Sequence, residues 1–343
     1  MATLAANVLT LADWAKRLDP EGKVPMIVEL LSQTNEILAD MLYAEGNLPT
    51  GHQTSVRTGL PTVVWRLLNN GVAPSKSTTA QITEAVGMLE AWSEVDKDLA
   101  ELNGNVKAFR RSEAEAFIEA MNQEMASTLF YGNGSTAPEE YTGLAPRYSD
   151  LSAANAQNIL SAGGSGSDNT SIWLVMWGAN TCFGVFPKGS KAGLIHEDYG
   201  EVTVETTAGI AGNRMRAYQE RWQWKTGLAL KDWRYVVRIP NIDISDLLAL
   251  STTQATTAAT FLPKLMSRAI DRMPSLGMGR MAFYANRTVM SNLRVAAMEK
   301  TSSVLAIQPG LRQFGDTIQG GLSVMGVPVR TCDALLETES VVS

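Results

Sequence analysis

Residues 47–95 constrain the fold of this chain most, because their pattern predicts a long two-stranded ribbon with no core beneath it. Glycine, proline, threonine and serine are frequent there, and charges are few. Residues 62–68 have the composition of a strand, residues 69–71 carry an Asn-Gly turn signal, and residues 82–90 return on an alternating pattern. An isolated ribbon of this length is only marginally stable in water, so we expect another subunit to cover it.

The first 45 residues are predicted to be helical, in two helices that are separated at Asp19 or Pro20, and Gly46 ends the second helix. The second helix carries a stripe at helical spacing, made by Ile27, Leu30, Leu31, Thr34, Ile37, Leu38, Met41 and Leu42. Such a stripe packs either on the chain's own core or, as an arm, on a neighbouring subunit. The sequence leaves both interpretations open.

The strongest helix pattern covers residues 112–130, which would span roughly 30 Å at 1.5 Å per residue. Ser112 is the predicted N-cap, Glu113 and Glu115 lie in the first turn, and Gly132 ends the helix. Its apolar face is formed by Phe117, Ile118, Met121, Met125, Leu129 and Phe130.

Residues 171–240 are predicted to be rich in strands. Residues 172–177 are apolar throughout, which is typical of a strand buried on both faces. Residues 216–231 alternate between two faces, and residues 235–239 form a further strand. One face of the alternating strand carries Tyr218, Trp222, Trp224, Leu228 and Leu230, and the other carries Gln219, Arg221, Gln223 and Lys225.

The last hundred residues mix both kinds of element. The pattern predicts a helix over residues 262–273, a short strand over 281–284 and a second helix that Asn286 caps. Residues 322–329 are strand-like, with Gly326 and Pro328 indicating an edge or a bulge.

Composition excludes several classes of protein. The net charge of −6 argues against a dedicated nucleic-acid binder, and the charged fraction of 19% is low enough to suggest surface buried against other chains. Cys182 and Cys332 lie far apart, which excludes a disulfide scaffold and a zinc finger; we interpret them as buried apolar residues. No run of about 20 apolar residues predicts a membrane span, and the first residues do not resemble a secretory signal.

The search for chemistry predicts no catalytic, cofactor-binding or metal-binding residue, and no cofactor. The chain has only two histidines, His52 at the base of the ribbon and His196 beside Glu197 and Asp198. Adjacent side chains do not converge on one ion without distant partners, so a surface turn is favoured for His196. The glycine-containing loop 184–191 lacks the Gly-Lys-Ser/Thr order of a phosphate loop.

The order of these segments resembles the major capsid proteins of tailed bacteriophages, which have the Johnson (Hong Kong 97-like) fold, and in particular the epsilon15-like family of short-tailed phages. Five motifs carry the resemblance along nearly the whole chain: LFYGNG at 129–134, GLAPRY at 143–148, GSKAGL at 189–194, KDWRYVVRI at 231–239 and MGVPV at 325–329.

The resemblance implies an α+β chain with four parts: an N-terminal arm (1–46), an extended loop with its return (47–105), a peripheral domain with a long spine helix (106–243) and an axial domain (244–343). The strand alternation favours a permuted order, in which the peripheral sheet is completed before the axial domain begins. The sheet would then pack on the spine helix through Phe117, Met121 and Met125.

The implied function is that of a major capsid protein, not an enzyme, which assembles with itself as hexamers and pentamers into the icosahedral shell around the phage genome. The implied partners are a scaffolding protein, a portal protein, possible decoration protein and packaged double-stranded DNA in non-specific contact, with no membrane. The implied location is the virion, after assembly in the bacterial host cytoplasm. Two alternatives remain: an encapsulin-like shell, or an enzyme of unknown class using His196, Glu197 and Asp198.

Two further expectations concern processing. Because the arm and spine helix come so early in the chain, we expect a separate scaffolding protein and no large N-terminal cleavage. Lys76 is the only lysine between residues 48 and 90, and we expect it to form no covalent crosslink to another subunit.

Overall fold

The computed structural model describes residues 31–102, 105–205, 214–248, 253–298, 305–308 and 321–343. The described helices are α1 (Ile37–Asp40), α2 (Lys97–Glu101), α3 (Val106–Tyr131), α4 (Ile244–Leu248), α5 (Thr253–Asp271) and α6 (Arg287–Met298). The described strands are β1 (Tyr43–Glu45), β2 (Gly51–Gly59), β3 (Thr78–Ala85), β4 (Gly87–Asp96), β5 (Asn169–Trp177), β6 (Cys182–Phe186), β7 (Leu194–Glu205), β8 (Arg214–Leu230), β9 (Val236–Asp243), β10 (Arg280–Ala285), β11 (Leu305–Gln308), β12 (Gly321–Val324) and β13 (Val327–Thr331). None of the described helices is long and apolar enough to cross a membrane.

Strand β5 is the centre of the fold, because all of its residues are buried. It pairs antiparallel with β9 and with β10. The main sheet runs β11-β12-β13-β10-β5-β6-β8-β4, and β1, β7 and β9 join it beside β6, β8 and β5. The predicted strand 172–177 is therefore confirmed, and its unbroken apolar run reflects cover on both faces.

The two faces of β5 enter two different cores. Ile172, Leu174 and Met176 pack with the apolar sides of α5 and α6. Trp173, Val175 and Trp177 pack with the C-terminal end of α3 and with the last residues of the chain. Helices thus cover both faces of a mixed sheet, and the expected α+β class is confirmed.

The long helix is confirmed, but it begins earlier than predicted. Its N-cap is Asn105, whose side-chain oxygen accepts a hydrogen bond from the Ala108 N–H at 3.2 Å. Ser112 lies inside the helix and donates to the Phe109 carbonyl, so its prediction as the N-cap is wrong. The helix extends to Asn105 because Phe109 is buried in a small core with Val95.

The predicted N-terminal helices are largely wrong where the structure describes them. Residues 1–30 lie outside the described residues, and within 31–46 only Ile37–Asp40 is α-helical. The chain then becomes extended, because β1 pairs in parallel with β6. Ile37 and Met41 are buried in the core at the end of α3, whereas Leu31 is exposed, so no continuous helical stripe is covered.

The ribbon is confirmed, with different bounds. Strand β2 pairs antiparallel with β3 from Gly51↔Ala85 to Gly59↔Thr78. Residues 62–68 are not a strand, because no described segment pairs with them. The turn prediction holds: Asn69 has φ +66°, and the Asn70 N–H donates to the Leu67 carbonyl at 3.2 Å. Strand β4 leaves the ribbon and pairs with β8.

The predicted elements of the last hundred residues are present with one correction. Helix α5 contains the predicted helix 262–273 up to Asp271, and Asn286 caps α6 by accepting from the Val289 N–H at 2.9 Å. Residues 322–329 are not one strand but the hairpin β12–β13. Its turn lies at Met325 and Gly326, whose φ angles of +49° and +83° suit a tight hairpin turn.

The expected permuted order stays a prediction, and the structure shows how the chain divides between the core at α3 and the core at α5 and α6. Strand β8 does pack on α3 as expected, since the Trp222 and Phe117 rings stack with centroids 5.1 Å apart. However, the sheet against α3 is not complete before residue 244. The edge of β5 that β9 leaves free is paired by β10, and Tyr284 and Cys332 enter the core at the end of α3. The chain therefore returns to that core between α5 and α6, through β10, and again after α6, through Cys332.

Candidate functional site

The tip of the ribbon, residues 60–77, is exposed over its whole length. Trp65 is 104% exposed and Leu68 is 90% exposed. The other exposed large apolar side chains of the tip are Leu60, Val63, Val64, Leu67 and Val72. Apolar side chains gathered in this way mark interaction surfaces in soluble proteins. The tip is therefore the first part of a candidate assembly surface.

The ribbon is also cationic. Residues 51–83 contain Arg57, Arg66 and Lys76 but no aspartate or glutamate. All three cations are exposed, and among the described residues none of them forms an ion pair with a carboxylate. A surface that receives the tip must accordingly offer both apolar area and negative charge.

The base of the ribbon is anchored to the body by a charge pair. Glu84 accepts two hydrogen bonds from the Arg147 guanidinium, at 2.6 and 2.7 Å, and both side chains are largely buried. Arg147 also donates to the carbonyls of Gly143 and Thr142, at 3.0 and 2.9 Å. Burial acts to lower the pKa of Arg147, but its hydrogen bonds to Glu84 outweigh this and raise it.

The first residue of β2 has to be glycine. A Cβ atom at Gly51 would lie 2.0 Å from the Glu84 carbonyl oxygen, where no side chain fits. The neighbouring His52 lies at the base of the ribbon, as predicted, with its ring edge-on to Phe183 at 5.5 Å. Burial is the main cause that lowers the pKa of His52. The antiparallel pairing of β2 with β3 begins here, with Gly51 opposite Ala85, and this pairing sets where the ribbon leaves the body.

The three adjacent residues weighed as an enzyme site do not converge. His196 and Asp198 lie on the side of β7 that faces α3. The His196 Nε2 atom is 3.0 Å from Glu220, and Asp198 pairs with Arg110 of α3 at 2.7 Å. Glu197 points to the other face and pairs with Arg221 at 3.2 Å. This separation follows from the strand, in which successive side chains alternate. The arrangement holds β7 and β8 against α3.

Both cysteines are free and buried. Burial raises the pKa of the Cys182 thiol to about 12 and also raises the pKa of Cys332, so both thiols stay protonated. The described part of the chain contains no group of three or more histidine, cysteine, aspartate or glutamate side chains that could hold a metal ion. Trp222 is buried, so it does not present a stacking surface.

A buried ion pair that the sequence analysis missed ties down the C-terminal segment. Arg238 and Glu339 lie 2.8 Å apart with only 5% and 4% of their side chains exposed. Tyr131, the last residue of α3, donates to Glu339 at 2.5 Å, and Ser171 also hydrogen-bonds to this carboxylate. Glu339, and Glu84 at the ribbon base, each form an ion pair with an arginine that is distant in sequence. No local sequence pattern could therefore predict either pair.

Comparison with known proteins gives one strong match to a family and one to a structure. A family model described as "Major capsid protein GP7" matches residues 19–343. A chain in the structure of bacteriophage epsilon15 is 31% identical, with a TM-score of 0.75, and the match covers 100% of this chain and 99% of that one. No curated protein matches this chain.

Two further solved structures are more distantly similar to this chain. The bacteriophage JBD30 capsid is 12% identical with a TM-score of 0.46, and the match covers 89% of this chain and 92% of that chain. The holo-SrpI encapsulin complex of Synechococcus elongatus is 12% identical with a TM-score of 0.43, and the match covers 68% and 97%.

Proposed function

Because the chain belongs to the major capsid protein GP7 family, we propose that its ribbon, residues 51–85, is the surface through which copies of this shell-forming protein hold one another. The chain is a bacteriophage major capsid protein with the Hong Kong 97-like fold, and it builds hexamers and pentamers of an icosahedral shell. Its location is the virion. The family indicates a structural protein rather than an enzyme.

The single observation that carries the proposal is the exposed apolar tip. Seven large apolar side chains between residues 60 and 72 are exposed in the described part of the chain. Burying one such side chain fully is worth roughly 1.5–3 kcal/mol, so several of them buried together supply a large part of a stable contact. A second copy is the partner that a self-assembling shell provides at every position.

The finer partners are also proposals. They are a separate scaffolding protein, a portal protein, possible decoration protein and packaged double-stranded DNA, with assembly in the bacterial host cytoplasm. The net charge of −6 supports contact with DNA that is non-specific and weak, since tight binding needs many cations on phosphates. The other partners are proposed because a phage capsid protein is what the family match indicates.

The division into an arm (1–46), an extended loop with its return (47–105), a peripheral domain (106–243) and an axial domain (244–343) remains part of the proposal. The ribbon and the long helix support the second and third ranges. The boundary at 243/244 runs through a shared core, because β5 and β9 pack with α5 and α6. We therefore propose that axial packing begins with β5 and β9 rather than at residue 244.

The experiment removes the tip and keeps the base. A two-residue Asn-Gly turn replaces residues 60–77, so that β2 and β3 remain paired and the Glu84–Arg147 pair is retained. We expect a folded protein that forms no closed shells in negative-stain electron microscopy, whereas the unaltered chain does. Normal particles from the shortened chain would contradict the proposal.

A further inference from the structure

A small cleft lies beside the ribbon base, between the first residues of β4, the second half of α3 and the loop 139–141. Its volume is about 160 Å³, below the ~300–1,000 Å³ of sites for small molecules. Met88, Leu89 and Met125 give it apolar walls. The cleft therefore has room for one long side chain, and Met88 leaves 58% of its surface exposed beside it.

The rim of the cleft carries unbalanced negative charge. Glu124, Glu139 and Glu140 all line it, and among the described residues no lysine or arginine pairs with any of them. Thr226 also lines the cleft; it is 1% exposed, and its hydroxyl oxygen has no hydrogen-bond partner. A buried hydroxyl without a partner costs roughly 1–3 kcal/mol, which a donor from a bound group would recover.

These features together describe the complement of an arginine side chain. Its stem is apolar and packs on methionine and leucine, while its guanidinium offers five N–H donors to carboxylates and to a hydroxyl. The ribbon tip supplies such a group. Arg66 stands between the exposed Trp65 and Leu67, which would cover Met88, whereas Lys76 is flanked by Ser75 and Ser77, and Arg57 lies in the paired strand β2.

We propose that this cleft binds Arg66 from the ribbon tip of a second copy of the chain. The inference rests on the proposed role of the ribbon and names the surface that receives it. The chain's own Arg66 does not reach: the eight residues of β3 at ~3.3 Å each put the tip roughly 26 Å from Gly87, where the cleft begins. Each copy thus offers one arginine and one cleft, which is the pattern of a head-to-tail contact that closes into rings.

A charge-reversal cycle on the full chain tests the pairing. R66E and E140R alone should each raise the protein concentration needed for half-maximal shell assembly by about tenfold, and the double variant should return to within about threefold of the unaltered chain. K76E is the matched control, with the same change in net charge, and should shift that concentration by less than about twofold. An equal effect of K76E, or no rescue in the double variant, would overturn the pairing.

Direct chemistry gives a second readout that does not depend on assembly yield. Shells of the R66K variant are treated with a carbodiimide, which joins an amine to a carboxylate in contact, and the linked peptides are identified by mass spectrometry. We expect the new lysine to link to Glu124, Glu139 or Glu140 of another copy. Links from Lys76 to these glutamates, or links from position 66 to other surfaces only, would show a different occupant and refute the inference.

The two proposals fail in different ways. If the chain without residues 60–77 still closes shells, the role of the ribbon is wrong. If that chain fails to close shells while R66E assembles normally, the role of the ribbon stands and only the place of Arg66 is refuted.

Discussion

Strand β5 and the ribbon tip both contain many apolar residues, but they differ completely in solvent exposure. All residues of β5 are buried, because α3 covers one face and α5 and α6 cover the other. Every residue of the tip, 60–77, is exposed. The comparison teaches that this chain contains two kinds of apolar sequence: one that is covered by its own fold and one that needs another molecule.

The largest expected effect lies in β5. Replacing Trp173 by alanine removes a fully buried side chain that packs edge-on to Tyr148 and lies under the Arg238 guanidinium. We expect the free energy of unfolding to fall by about 4 kcal/mol, measured by urea denaturation of the unassembled protein. A loss below about 1 kcal/mol would mean that β5 is not the centre of the core.

The buried pair at the C-terminal segment comes next. Glu339→Ala leaves Arg238 buried without its charge partner, and we expect a loss of about 3 kcal/mol in the free energy of unfolding. The matched control is Asp232→Ala, which breaks the more exposed pair with Arg234 and should cost less than about 1 kcal/mol. Equal losses in the two variants would contradict the assignment of Glu339 as an anchor.

The ribbon base should give an intermediate and local effect. Glu84→Ala removes the carboxylate that Arg147 holds, but Arg147 keeps its carbonyl partners, so we expect a cost of about 2 kcal/mol. Hydrogen–deuterium exchange should accelerate in β2 and β3 and stay unchanged in β5. Equal acceleration in β5 would show that the pair supports the whole body and does not specifically anchor the ribbon.

A substitution in the tip should have little effect on the stability of the unassembled protein and a clear effect on shell assembly. Trp65→Ala removes a fully exposed side chain, and we expect the unfolding free energy of the unassembled protein to change by less than about 0.5 kcal/mol. Shell assembly, followed by light scattering, should nevertheless be impaired. Unimpaired assembly would place Trp65 outside the contact between copies.

The smallest expected effect concerns pH and His52. Its pKa is lowered in the folded chain, so the unfolded chain binds the proton more readily. Stability from this residue is therefore complete above the unfolded pKa near 6.5 and declines as the pH falls below it. His52→Gln should flatten the pH dependence of the melting temperature between pH 7 and 5, and an unchanged slope would assign that dependence to other groups.

Local sequence patterns predicted an element correctly where the residues that make it form lie within the element itself. The apolar run of β5, the strand pattern of β8 and the cap at Asn286 each act within a few residues, and the structure confirms these elements. The start of α3 shows the limit of such signals. Both Asn105 and Ser112 are good N-cap residues. Which of them begins the helix depends on the packing of Phe109 against Val95 in strand β4.

The failures share a physical reason, which is dependence on distant partners. Residues 62–68 have strand-forming side chains, but a strand needs a ladder partner, and none of the described segments provides it. The stripe around Ile37 fits a helix. The chain is nevertheless mostly extended there, because β1 pairs with β6 and neighbouring residues hydrogen-bond to the C-terminal segment. The pairs at Glu84 and Glu339 join positions 63 and 101 residues apart, beyond any local pattern.

The most direct test of the comparison is the exposure of the tip in an assembled shell. Cryo-electron microscopy of shells assembled from the full chain would show how much of Trp65, Leu67 and Leu68 another copy covers. The account predicts that contact with a second copy leaves each of these side chains less than about half as exposed as it is in the unassembled chain. Closed shells in which all three side chains remain open to solvent would contradict it.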